Sequence, residues 1–260
     1  MGDRAPAASA RWGDLGRRAL SAAILAPIAL ACIWFGGVAY QILILLAALG
    51  LSVEWVGLCG LHGLRWPGGL VPTAVLLAGC ACLVVHVLTG LLLLACCFAA
   101  IWALARHTML AWGVLYIGLP LLLLLWLRGV AGGRESVLFL ILVIWATDIG
   151  AYLVGRLVGG PKLAPALSPG KTWSGAAGGL GAALLVGIFV PWGMPTLALL
   201  LAVACQAGDL LESGIKRHVG VKDSGRLIPG HGGLFDRLDG LLAAAPFAAI
   251  AMLASRGGQW

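Results

Sequence analysis

The chain has 260 residues, of which 61% are hydrophobic and only 10% charged, with a mean hydropathy of +1.02. A soluble fold would lack the polar surface needed to cover itself, so the composition excludes a water-soluble globular protein and implies an integral membrane protein. The net charge of +7 is what topology-setting arginines and attraction to anionic head groups produce in a membrane protein, and by itself it selects no function.

Apolar runs of about 20 residues recur from end to end, long enough as helix to cross a hydrocarbon core of roughly 30 Å, whereas barrel strands would be about half that length and alternating. The expected fold class is all-α, a polytopic membrane protein with eight or nine transmembrane helices and no internal repeat, low-complexity tail or soluble domain. The first apolar run follows Arg4, Arg11, Arg17 and Arg18 and reads as a retained first span rather than a cleaved signal peptide. Hydrophobic patterning places helices at 19–36, 38–60, 69–88, 90–105, 109–127, 136–157, 173–191, 195–213 and 240–255. The third and fourth are the hardest to divide, because residues 69–105 carry no formal charge and are broken only by Thr89 and Gly90. All seven cysteines (Cys32, Cys59, Cys80, Cys82, Cys96, Cys97, Cys205) lie in apolar runs, without the CxxC and histidine pairing of a zinc site. Residues 1–134 read as an N-terminal multi-span region and 135–260 as a C-terminal catalytic region, together one membrane domain.

With nine spans and a cytosolic N-terminus, only Arg128, Arg134 and Arg256 of the 17 basic residues fall on the far side, the asymmetry of the positive-inside rule. The two longest polar connections, 158–172 and 214–239, then share the cytosolic side.

A carboxylate within hydrocarbon costs about 2.5–3.5 kcal/mol on insertion scales, so each one inside a span needs a partner, a wet cavity or a function. Glu54, Asp148 and Asp209 are such acids, all nearer the cytosolic ends of their helices, and they are expected to converge on one cytosol-facing cavity. In "QAGDLLESGIKR" Asp209, Glu212 and Ser213 stand at i, i+3 and i+4 on one helical face, and in "FDRLDG" Asp236 and Asp239 are again i, i+3 at the entry to the last helix. Two carboxylate pairs joined by one connection suit a hard cation such as Mg²⁺ with substrate phosphates. The same spacing also fits Asp209 paired with a neighbouring Lys or Arg and Asp239 capping a helix.

The stretch "SGIKRHVGVKDSGRLIPGHGGLFDRLD" mixes acids, bases, two histidines and six glycines. Lys216, Arg217, Lys222, Arg226 and Arg237 are five cations within 22 residues, enough to hold a polyanion such as a nucleoside triphosphate or to face lipid phosphates. Glycines around His231 allow close backbone approach to a ligand, and His231 itself suits either proton transfer or loop hydrogen bonding. Upstream, "ATDIGAYLVGR" aligns Asp148, Tyr152 and Gly155 on one face. "SPGKTWSG" lacks the spacing of a Walker A loop, yet Ser168 to Thr172 suits a phosphate as a loop before a helix, with Thr172 or Ser174 as cap. The run "SGAAGGLGAA" fits close helix packing better than ligand binding.

Together these residues resemble the signature of the phosphatidate cytidylyltransferase, or CDP-diacylglycerol synthase, family. The matched positions run from Ser213 through Lys216, Arg217, Lys222, Asp223, Pro229, His231, Gly232, Gly233, Asp236 and Arg237 to Asp239, and "DIGAYLVGR", "SPGKTWSG" and "GDLLES" are similar in the same order. The likeness covers about residues 145–240 and departs from the family at Gly170, where a polar residue is common. It implies Mg²⁺-dependent transfer of a cytidylyl group from CTP to phosphatidic acid, giving CDP-diacylglycerol and pyrophosphate, with a second cation conceivable. By the same likeness Asp209 and Asp236 are the expected metal ligands. Lys216, Arg217, Lys222, His231, Arg237 and Asp239 complete the catalytic set, and Asp148, Ser168, Lys171, Thr172, Ser213, Gly232 and Gly233 the substrate-binding set. The implied partners are CTP, phosphatidic acid, membrane lipids and a second copy of the chain, with no nucleic acid; the compact length points to a bacterial inner membrane, with an organellar one as the alternative, and the active site is expected to face the cytosol.

A lipid or polyprenol kinase is the nearest alternative, and it would release nucleoside diphosphate. A CDP-alcohol phosphotransferase needs acids absent downstream of "DRLDGLLAAA". A lipid transporter would show inverted repeats in both halves, whereas the polar residues here concentrate in the C-terminal half.

Overall fold

The structure, a computed structural model, describes residues 23–61, 65–225, 227 and 232–255. Among them nine helices follow in order: α1 Ala23–Phe35, α2 Gly37–Leu58, α3 Leu70–Val84, α4 Val87–Ala105, α5 Thr108–Gly129, α6 Gly133–Val158, α7 Trp173–Phe189, α8 Pro195–Val219 and α9 Phe235–Ser255. The helices α2, α4, α5, α6, α8 and α9 are long and apolar enough to cross a membrane. The described part of α1, with α3 and α7, forms shorter apolar helices.

The expectation of an all-α chain needs one correction. Between α6 and α7, β1 (Lys162–Ala164) and β2 (Ser168–Thr172) form an antiparallel pair, with Lys162 opposite Thr172 and Ala164 opposite Ser168. Gly159, Gly160, Pro161, Pro165, Pro169 and Gly170 cannot sustain a helix, and pairing the strands satisfies the backbone polar groups that these residues leave.

α3 and α4 part at Val85–His86, earlier than the expected break at Thr89–Gly90, because the His86 ring caps α4 by accepting the Leu88 N–H at 3.3 Å. His107 does the same for α5, accepting from Leu110 N at 3.2 Å. α8 continues six residues past its expected end at 213, so Lys216 and Arg217 are helical rather than in a loop. With His218 they occupy the last turn of α8, where cations complement the helix dipole. Gly220, at φ 79°, ends the helix and donates to Arg217 O at 3.1 Å. α9 begins at Phe235 rather than 240, which puts Asp236 in its first turn.

α5 is the central helix, with α2, α3, α4, α6 and α9 packed around it and Leu110, Ile117, Leu122, Leu124 and Leu127 fully enclosed. Arg128 at its end donates to the Ile33 and Trp34 carbonyls at 2.7 and 3.0 Å, tying α1 to α5 through the unpaired carbonyls of the α1 C-terminus. α6 and α7 approach most intimately, and here the glycine-rich run explains itself. A Cβ at Gly150 would stand 2.7 Å from Gly178 O, so bare backbone lets the two helices touch.

Candidate active site

A cavity of about 710 Å³ opens where the end of α6, the β-hairpin, the start of α7, the second half of α8 and the first turn of α9 meet. Its lining carries five carboxylates (Asp148, Asp209, Glu212, Asp236, Asp239) and four cations (Arg156, Lys171, Lys216, Arg237), so the charges nearly balance within the site. Each element delivers a few of these by helical spacing. α6 presents Asp148, Tyr152, Gly155 and Arg156 along one face, α8 presents Asp209, Glu212 and Lys216, and α9 presents Asp236, Arg237 and Asp239.

Oxygens of Asp209, Glu212 and Asp239 lie within 4.8 Å of one another. Glu212 is buried, and its Oε1 has no hydrogen-bond partner among the described residues. Three acids converging around an unsatisfied buried carboxylate oxygen form a donor set chemically suited to a hard divalent cation. Lys171, from β2, pairs with Asp209 across the cavity. Lys216 bridges two acids, at 3.0 Å from Glu212 and 2.6 Å from Asp236.

Asp236, one of the two metal ligands that the resemblance implies, is held by several donors. Besides Lys216, it accepts from Ser224 N and Oγ at 3.1 Å and from Gly233 N at 3.0 Å. Its carboxylate thus fastens the segment between α8 and α9, while Glu212 is the acid grouped with Asp209 and Asp239 within 4.8 Å. Glu212 shares the α8 face noted from spacing, yet its place beside Asp239 depends on how α9 packs on α8.

Glu54 is likewise placed apart from the cavity, contrary to the expectation that it converges there with Asp148 and Asp209. Buried in α2, it accepts from Leu234 N at 2.9 Å, Phe235 N at 2.8 Å and Ser224 Oγ at 3.2 Å. It therefore supplies an anionic cap to the start of α9 from a helix some 180 residues earlier. Gly225 and Gly233 enclose it so tightly that a Cβ at either would stand 2.6 or 2.8 Å from a Glu54 oxygen. The need for glycine at both positions is thus steric.

Of the other sequence candidates, Lys171, Thr172, Asp148, Lys216, Arg237 and Asp239 line the cavity. Thr172 also caps α7, its hydroxyl accepting from Gly175 N at 3.1 Å. Ser168, Ser213, Arg217 and Lys222 are outside the lining. Ser168 begins β2, Ser213 is half-buried on α8, Arg217 Nε donates to Leu167 O at 3.4 Å, and Lys222 is exposed after α8. Gly232 has φ 83° and leads into the Gly233 N–H that holds Asp236. His231 lies outside the described residues.

The site also takes in residues that sequence reasoning did not single out as ligands. Arg156 Nη1 donates to Tyr152 Oη at 2.9 Å at the cavity wall, and Gln206 bridges to Ala176 O at 3.3 Å. The signal for Arg156 is its position at i+8 from Asp148, on the same helical face.

Residues 16–255 match the family described as the cytidylyltransferase family. The chain belongs to that family. Its phosphatidate cytidylyltransferase relative from Brucella suis biovar 1 (strain 1330) is 41% identical over 260 aligned residues, covering 89% of this chain and 91% of the relative. The phosphatidate cytidylyltransferase of Brucella melitensis biotype 1 has the same identity and coverage. A phosphatidate cytidylyltransferase from Staphylococcus saprophyticus is 43% identical over 149 residues, 54% of this chain and 56% of that protein.

Proposed function

We propose that the chain transfers the cytidylyl group of CTP to phosphatidic acid, forming CDP-diacylglycerol and pyrophosphate for phospholipid biosynthesis. The observation that carries this reading is the cavity itself. A membrane protein of this family places a balanced set of acids and lysines at one end of its helix bundle, where a soluble triphosphate and a lipid phosphate can both arrive.

Asp209, Glu212 and Asp239 would hold Mg²⁺, whose chemistry is to neutralise triphosphate oxygens and the departing pyrophosphate. Lys171 pairs with Asp209 and Lys216 with Glu212 and Asp236, which sets both ammonium groups beside acids of the site, where they would add positive charge for the phosphates. Arg156 and Arg237 add planar donors suited to phosphate. A phosphatidate oxygen attacks the α-phosphorus of CTP in line. The new P–O bond forms as the bond to the bridging oxygen breaks, and pyrophosphate leaves with that electron pair. The attacking oxygen is already anionic, so the side chains position and neutralise rather than supply a nucleophile. Asp236, clamped by Lys216 and Ser224, fixes the geometry of the α8–α9 connection. Arg217 and Lys222, in the last turn of α8 and just after it, add positive charge on the approach for CTP, and the resemblance gives His231 a catalytic role.

The reading places eight or nine spans in a bacterial inner membrane with the cavity facing the cytosol. The basic residues of the site support this, since Arg156, Lys171, Lys216 and Arg237 line the cavity, as the positive-inside rule expects of a cytosolic end. The experiment follows label from α-labelled CTP into lipid, with purified protein, phosphatidic acid and Mg²⁺. Labelled lipid matched by pyrophosphate supports the reading. Nucleoside diphosphate with label left in the nucleotide, or lipid movement without nucleotide, rejects it for a kinase or a transporter.

A further inference from the structure

A second cavity, of about 450 Å³, lies beside the first between α1, α2, α5, α6 and α9. Its volume is within the range of ligand sites, about 300–1,000 Å³. Among the described residues Arg237 is the one charged residue in its lining, and it also lines the polar cavity, so the two spaces share this side chain. Away from Arg237 the walls are hydrocarbon and indole. Leu241 lies one turn further along α9, Ala29 and Ala47 face in from α1 and α2, and Ile141 and Trp145 from α6. The Tyr40 hydroxyl proton is already engaged, since its Oη donates to Leu124 O at 3.0 Å. The α1 wall from Leu25 to Ile33 is about 12 Å long at 1.5 Å per residue, a slot rather than a dimple.

We propose that this groove seats an acyl chain of the phosphatidate substrate, with the lipid phosphate held at Arg237 where the groove joins the polar cavity. The inference rests on the reading of the polar cavity as a cytidylyltransferase site. It adds the site that orients the lipid and sets its chain preference. Charge complementarity selects the occupant. A phosphate monoester on two hydrocarbon tails presents an anion to Arg237 and methylenes to the walls, whereas a free nucleotide or a polar peptide would leave those walls unmatched. Ala29 and Ala47 are where the slot has room, because their side chains end at Cβ while the neighbouring positions carry Leu and Ile.

The test uses the full chain in micelles, with CTP, Mg²⁺ and either dioctanoyl or dioleoyl phosphatidate. Ala29→Phe and Ala47→Phe, which fill the slot without touching the polar cavity, should lower kcat/KM for the dioleoyl lipid by about tenfold, the scale on which a pocket discriminates small changes in apolar bulk. They should lower it less for the dioctanoyl lipid, whose shorter chains occupy less of the slot. An unchanged long-to-short ratio in both variants overturns the groove, and means that residues 1–22, a second copy or bulk lipid occupies it. In parallel, the unsubstituted chain is irradiated with a phosphatidate carrying a diazirine on its acyl chain. Label on α1, α2 and α9 that unlabelled phosphatidate displaces and phosphatidylcholine does not is the expected result. Label spread evenly over the lipid-facing helices overturns the proposal even if the variants fail to fold. Absence of cytidylyl transfer by the unsubstituted chain would instead reject the underlying reading of the polar cavity.

Discussion

Glu54 in α2 accepts the Phe235 N–H at 2.8 Å, so a side chain from the N-terminal part of the chain caps the helix that carries Asp236 and Asp239. The same carboxylate holds Leu234 N and Ser224 Oγ, and Ser224 in turn holds Asp236. The position of the α9 acids therefore depends on α2.

Glu54→Ala should cut cytidylyl transfer by at least about tenfold and lower the midpoint of thermal unfolding in detergent. The two backbone N–H groups it leaves behind cost about 1–3 kcal/mol each when buried and unpaired. Glu54→Gln keeps the volume but swaps an acceptor oxygen for a donor, and should recover only part of the activity. Full activity in both variants would remove the coupling between α2 and the site.

Asp209→Asn, Glu212→Gln and Asp239→Asn should each depress kcat by roughly 10²–10³, the scale seen when one preorganised charge-stabilising group is removed. Size-exclusion profiles should stay monodisperse. Chelating Mg²⁺ from the unsubstituted chain should abolish turnover, and adding it back should restore it. Carboxylates that would share one cation should be non-additive, so pairwise combinations should lose little beyond the single variants.

Lys216→Met leaves Glu212 and Asp236 facing each other without a cation. The pair is well shielded, with side-chain exposures of 14% for Lys216 and 3% for Glu212. Breaking such a contact costs up to about 3–5 kcal/mol when fully buried. The variant should lose both stability and activity, and Lys216→Arg should regain stability more than rate, because the larger planar head cannot reproduce contacts of 2.6 and 3.0 Å to two acids. Thermal unfolding and initial rates, measured on the same preparations, separate the two effects.

Gly225→Ala and Gly233→Ala should be damaging, since either Cβ would press on Glu54, and overpacking costs about 1–3 kcal/mol. Gly181→Ala in α7 is the contrasting case. A Cβ there meets nothing within 4 Å, and alanine favours helix over glycine by about 0.8–1.0 kcal/mol. It should be neutral or stabilising in the same unfolding assay, with turnover unchanged.

Much of this molecule is determined locally and is therefore legible in the amino-acid order. The hydrophobic runs between polar breaks mark the nine helices seen among the described residues, with bounds off by up to six residues where polar residues extend α8 and α9, because hydrocarbon leaves the backbone no other partner than its own turn. Helical spacing alone puts Asp209 with Glu212 and Asp236 with Asp239, and the residue types before α7 offer Thr172 or Ser174 as its cap, of which the structure uses Thr172. The hairpin is less visible, since its prolines and glycines say only where helix stops. What the tertiary structure decided is which carboxylates meet. Packing of α9 against α8 brings Asp239 to Asp209 and Glu212, turns Asp236 toward Lys216 and Ser224, and leaves Glu54 as an anchor outside the cavity. Those partnerships join residues up to 181 positions apart, and no local periodicity encodes a contact that exists only once the helices have docked.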